Sequence, residues 1–140
     1  NDLEKNIKKL KKKEENLIVM GDFNVAPTDL DIGIGEQNVK RWLRDGKTAF
    51  LPEEIKMWNK IRNLGFVDSW RKQNPEESSI YSWFDYRSRM FDDSPKRGLR
   101  IDHILLSENI ESEMLNTGID YLARAMEKPS DHCPIWLELK

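Results

Sequence analysis

Apolar residues recur along the chain in two rhythms. Leu3, Ile7 and Leu10 mark one face of a lysine-rich segment and predict a helix over residues 2–15. The apolar run 17–20 predicts a strand, followed by a polar loop through Pro27 and Asp29 to Gly35. Helices are expected over 36–44 and 53–63; the second has Pro52 at its first turn, Ile55, Trp58 and Ile61 on one face, and Gly65 as a stop. Later strands are expected over 80–84, 101–106, 119–123 and 135–139. Residues 78–86 alternate aromatic and polar side chains, and 87–99 read as a loop. Five strands and three main helices imply an α/β (α+β) layering, without repeats or a low-complexity linker.

Polar groups cluster at the ends of these strands. Asp22 and Asn24 follow the first apolar run, whereas Asp131 and His132 precede the last one. If the two strands lie antiparallel in one sheet, all four groups reach a common rim, where α/β folds usually keep their chemistry. A carboxylate there can hold a hard metal ion or accept a proton from water, and a neutral amide can orient water or a phosphate oxygen. The same Gly-Asp-Phe-Asn run also suits an Asx-type turn, and the residues alone leave both readings open. His132 can titrate near neutrality, with a carboxylate on its second ring nitrogen fixing the tautomer and favouring the cation. Asp102, at the entry of the strand over 101–106, is the candidate partner, because the neighbouring Asp131 and His132 diverge in extended backbone. His103 is directed to the other face and is read as structural; Cys133 enters an apolar strand and is read as a small buried hydrophobe.

Composition narrows the field less than these positions do. With 140 residues, 38% apolar content and five Trp, the chain has ample material for a packed core. Its 23 basic and 25 acidic residues give a formal charge of -2, so charge alone does not mark a nucleic-acid binder. A basic run spans 8–13, and Arg87, Arg89, Lys96, Arg97 and Arg100 lie near the candidate site. The lone cysteine fits a reducing compartment, and no apolar run reaches membrane-spanning length. Trp83, Phe84, Asp85, Tyr86 and Arg87 offer rings for a sugar or base, and Arg87 or Arg100 can pair with phosphate; the same residues could also seal a core strand with an ion pair. One Cys and two His give no familiar zinc spacing.

The longer motifs are more specific. Residues 21–32 read GDFNVAPTDLDI, 35–43 read GEQNVKRWL, 81–88 read YSWFDYRS, 98–102 read GLRID, 117–121 read TGIDY and 127–134 read EKPSDHCP. Through them the chain resembles the exonuclease III branch of the endonuclease/exonuclease/phosphatase family. That resemblance implies a four-layered α/β sandwich with a mixed, mainly antiparallel sheet, of which residues 1–140 resemble the C-terminal half, the N-terminal half being absent. It also implies a Mg2+-dependent hydrolase of DNA phosphodiesters, with Mn2+ as an alternative ion, acting as a 3′-to-5′ exonuclease and abasic-site endonuclease in base excision repair. Double-stranded DNA and the missing half would be its partners. Its place would be the cytoplasm, associated with the nucleoid when bound to DNA.

The family pattern makes Asp22, Asn24, Asp102 and His132 catalytic. It assigns Asp22, Asn24 and Asp131 to the metal, and Trp83, Phe84 and Leu99 to a pocket for a base-free deoxyribose. Arg87 and Arg100 would support the phosphate or the loop facing it. A phosphomonoesterase or inositol-phosphate phosphatase of the same superfamily shares the GDFN and SDH motifs. A noncatalytic half-domain that associates with a missing half is the alternative of a different class, and activity of the isolated chain is not expected.

Overall fold

Burial of the apolar runs produces two small antiparallel sheets with helices interspersed. The computed structural model describes residues 2–140. In chain order it contains α1 (Asp2–Lys11), β1 (Ile18–Asp22), α2 (Glu36–Arg44), α3 (Pro52–Arg62), β2 (Phe66–Asp68), α4 (Ser69–Gln73), β3 (Asp102–Ser107), β4 (Met114–Ile119), α5 (Tyr121–Arg124) and β5 (Ile135–Leu139), with short 3-10 turns between some of them. The first sheet runs in the order β1-β3-β2 and the second pairs β4 with β5. The strands that border the two polar clusters therefore lie in different sheets, not in the single sheet the strand pattern suggested. No helix among the described residues is long and apolar enough to cross a membrane.

The central strand is β3, and its run Ile104, Leu105, Leu106 is buried throughout. That continuous apolar stretch is what a strand covered on both faces requires. One core packs Ile7 of α1 and Trp58 and Ile61 of α3 against Phe66 and Leu105. A second core forms under the loops, where Phe50, Tyr81, Phe84, Leu99 and Ile101 meet. Of the predicted α1 stripe only Ile7 is buried, and the helix closes earlier than expected, with the Lys13 and Glu14 amides both donating to the Leu10 carbonyl.

Three segments depart from the expected elements. Residues 80–84 form no ladder; Trp83 makes isolated bridges to Leu99 and His132 instead. The strand expected over 119–123 is displaced to Met114–Ile119, because the Asp120 carboxylate accepts the Ala123 amide at 3.0 Å and starts α5. The β2–α4 unit was not expected. A three-residue strand carries too little periodicity to register, yet Asp68 at its end caps α4 by accepting the Arg71 amide at 3.2 Å.

Candidate active site

Strand register builds the site. In the β1–β3 pair Asp22 lies opposite Asp102, and Gly21 lies opposite His103. Directly opposed residues project from the same face, so the two carboxylates meet at the end of the ladder. The next residue of β3, His103, is turned into the core, as the alternation of a strand demands. The second polar cluster arrives through backbone ties, not through a strand: Phe84 donates to the Asp131 carbonyl at 3.0 Å and Cys133 donates to the Ser82 carbonyl at 2.7 Å.

His132 is thereby set against Asp102, with Nδ1 at 2.9 Å and 3.1 Å from the two carboxylate oxygens. The hydrogen bond to Asp102 raises the imidazole pKa; partial burial opposes it, and the charges of Asp102, Asp22 and Asp131 add to the rise. With Nδ1 committed to Asp102, Nε2 is the nitrogen left for a substrate. Asp102 is itself fixed from behind by the buried Ser82, whose hydroxyl donates to Oδ2 at 2.6 Å and accepts the Ile101 and Asp102 amides, each at 3.0 Å. Serine at position 82 was not singled out in the sequence; its only cue is its place between Tyr81 and Trp83 in the most specific motif.

Asp22 and Asn24 form an Asx-type turn that faces the same group of side chains. Asn24 takes a left-handed φ of 51°, its amide donates to Asp22 Oδ1 at 2.8 Å, and its side-chain nitrogen lies 3.2 Å from Oδ2. Asparagine tolerates that backbone better than most residues, and the turn aims its amide at the carboxylate. Ligand atoms of Asp22, Asp102 and His132 lie within 4.8 Å of one another. Asp131 was expected with Asp22 and Asn24; its carboxylate instead accepts the Trp83 indole N–H at 3.0 Å, and it stands outside this three-residue group. The carboxylate oxygens suit a hard divalent cation that keeps much of its hydration, since Mg2+ is commonly held by only one or two carboxylates plus substrate phosphate.

Beside this group lies a cavity of about 130 Å3, lined by Asn24, Trp42, Thr48, Ala49, Trp83, Leu99, Ile101 and His132. Trp83 and Leu99, read in the sequence as pocket residues, both line this cavity. Phe84 does not: it is fully buried and packs edge-on against Tyr81, Phe91 and Tyr121, so Ile101 supplies the wall expected of it. Arg100 is likewise a correction as a phosphate ligand. It is buried, donating to Asp31 at 2.7 Å and to both oxygens of Asp68 at 2.7 Å and 3.1 Å, which ties the loop after β1 to β2 and β3. Its role is in the loop scaffold. Arg87 remains exposed on the turn after Trp83, its amide bonded to Asp85. A larger cavity of about 430 Å3 lies between α1, the segment 23–25 after β1, and α3, and shares Asn24, but holds neither the His132 imidazole nor the paired aspartates.

A model of the Endonuclease/Exonuclease/phosphatase family matches residues 1–132. The chain belongs to that family. It falls in the exonuclease III branch, being 52% identical over 139 residues to Exodeoxyribonuclease III of Haemophilus influenzae, an alignment covering 99% of this chain and 51% of that protein. Among solved structures, the Neisseria 3′ phosphatase NExo bound to a product DNA hairpin matches with a TM-score of 0.86 and 34% identity, over 99% of this chain and 50% of that one. An AP endonuclease from Archaeoglobus fulgidus matches with a TM-score of 0.80 and 28% identity, over 99% of this chain and 52% of that one. The chain thus spans about half the length of the relatives it matches.

Proposed function

We propose that the chain is the C-terminal half of a divalent-metal-dependent DNA phosphodiesterase that removes nucleotides from 3′ ends and incises abasic sites in duplex DNA. The observation that carries this reading is the convergence of Asp22, Asp102 and His132 next to a small, largely apolar cavity. Water attacks phosphorus in line, leaving a 3′-hydroxyl and a 5′-phosphate. Asp22 accepts the proton of that water, its carboxylate steadied by the Asn24 amide. His132, held by Asp102 and favoured as the cation, presents Nε2–H to the negative charge that builds on the phosphate. Asp22, with Asn24 beside it, would hold Mg2+ or Mn2+, which would supply positive charge to the phosphate oxygens and lower the pKa of bound water, while Asp131 stays bonded to the Trp83 indole. Arg87 meets the DNA backbone outside the reacting phosphate.

The complete polypeptide should incise duplex DNA at an abasic site in the presence of Mg2+ and stop on chelation. Asp22→Asn should slow turnover by about a hundredfold or more while leaving the fold intact. The isolated 140-residue chain should be far slower, because its relatives are twice as long. Absence of any metal-dependent cleavage by the complete polypeptide would refute the reading. The likeness to the Neisseria 3′ phosphatase favours one second reading, removal of a 3′-terminal phosphate. Release of inorganic phosphate from a 3′-phosphorylated duplex, without chain shortening or abasic incision, would select it.

A further inference from the structure

The cavity beside His132, at about 130 Å3, is well below the size of drug-like ligand sites, which run from roughly 300 Å3 upward. Trp83, Leu99 and Ile101 form part of its wall together with Asn24 and His132; Trp42 of α2, with Thr48 and Ala49 from the following loop, forms the rest. We propose that Trp42 sets the size limit of this cavity for incision within a duplex, admitting an internal deoxyribose that has lost its base and excluding an internal sugar that still carries one. The inference rests on the DNA-directed reading above and adds to it the side chain that decides which sugar enters.

The indole of Trp42 is held from several sides. Its centroid lies 6.2 Å from that of Trp83 with the planes inclined by 58°, and it stacks on Phe50 at 5.8 Å with the planes 4° apart. The Lys47 ammonium sits 5.5 Å from its ring centroid. A wall packed in this way cannot swing aside without breaking several contacts.

The neighbouring loop is pinned as firmly. Ala49 adopts φ 119°, a conformation L side chains rarely take, and its carbonyl accepts the Ala26 amide at 2.6 Å. One carboxylate, Glu54 of α3, accepts the Thr48 hydroxyl at 2.5 Å and the Ala49 and Leu51 amides, each at 2.9 Å. Strained backbone persists where its surroundings over-determine it, and such places cluster at ligand sites. The chemistry of the excluded group completes the argument. An indole is a fused bicyclic heterocycle of much the same bulk as a purine, so replacing it by a small side chain would open the cavity of about 130 Å3 by roughly the volume of a base.

The test uses the complete polypeptide and two duplexes of one sequence, one carrying a tetrahydrofuran abasic analogue and one undamaged, with incision measured as kcat/KM on each. Trp42→Ala should lower the abasic-to-undamaged ratio by about tenfold or more, and Trp42→Phe should stay within about threefold of wild type. Trp42→Leu, which keeps apolar bulk without the second ring, should fall between them and serves where the alanine variant does not fold. A merely structural defect lowers both rates together and leaves the ratio unchanged. An unchanged ratio in a folded Trp42→Ala or Trp42→Leu enzyme would overturn the proposal alone; a wild-type polypeptide that cuts no DNA would overturn the functional reading and this inference with it.

Discussion

Acidification should destabilise the protein through one buried ring, His103. The imidazole is fully enclosed, its centroid 4.3 Å from that of Trp58 and 5.7 Å from that of Phe23. Arg100 donates to its Nδ1 at 2.9 Å, which leaves Nε2 to donate to the Val25 carbonyl at 2.7 Å. The Arg100 bond requires the neutral ring, because a second proton would set two donors against each other at Nδ1, whereas the bond to Val25 survives protonation. Burial first, and then the Arg100 charge, pull its pKa from 6.5 down to about 4. Between those values the unfolded chain binds a proton that the native chain refuses, so stability falls as pH drops through that window.

A gap of about 2.5 units, at about 1.36 kcal/mol per unit, gives a full effect of roughly 3 kcal/mol, of which roughly 2–3 kcal/mol is reached by about pH 4.5. Urea unfolding of the complete polypeptide at neutral pH and near pH 4.5 should be compared with His103→Gln, which can accept from Arg100 and donate to Val25 without titrating. The wild-type penalty on acidification should exceed the variant's by that amount. His132 works in the opposite sense, since its raised pKa contributes stability that is fully present at acid pH and is lost on the alkaline side. Both proteins carry it, so it cancels in the comparison. Equal acid penalties in the two proteins would refute the reasoning.

Two further outcomes follow from the same geometry. Burial opposes ionisation of Asp31 and Asp68, but Arg100 holds both carboxyls below the usual range; Arg100→Met should leave the Asp68 charge buried without its cation, Asp31 keeping Arg71 at 2.6 Å, and cost about 3–5 kcal/mol, and a loss under about 1 kcal/mol in urea titrations would contradict this. His132→Ala and Asp102→Asn should each depress turnover on abasic DNA more than DNA affinity, and the double variant should be little slower than His132→Ala, because Asp102 acts through the ring it holds; additive rate losses would separate the two residues.

Local pattern was enough for several parts of this protein. The helix expected over 36–44 after the loop ending at Gly35 is α2 at Glu36–Arg44, and Pro52 with the Ile55, Trp58 and Ile61 stripe marked α3. The divergence of adjacent residues in extended backbone set Asp131 aside, leaving Asp102 at a strand entry as the candidate partner of His132, and turned His103 to the other face as a core residue, all without knowledge of the sheet. These features depend on the geometry of one element at a time, and a period of two or 3.6 residues carries that geometry in the chain itself. The family motifs extended the reading to the reacting groups, although they could not distinguish which ring of a Trp-Phe pair lines a cavity.

That distinction belongs to tertiary structure. Phe84 is buried and Ile101 lines the cavity because residues 80–84 are drawn in by single bridges to Leu99 and His132, so the regular alternation of a strand does not apply there. Trp42 reaches the same cavity from a helix that is distant in sequence, and Ser82 supports Asp102 across a loop; neither contact leaves a periodic trace. The Asp31–Arg100–Asp68 network is of the same kind. Neither Asp31 nor Asp68 was singled out in the sequence and Arg100 was read toward phosphate, and only the packing of the loop after β1 against β2 and β3 excludes water and makes the three a buried scaffold. Sequence determined which groups stand at the ends of strands, while the order in which sheets and loops pack determined which of those groups meet.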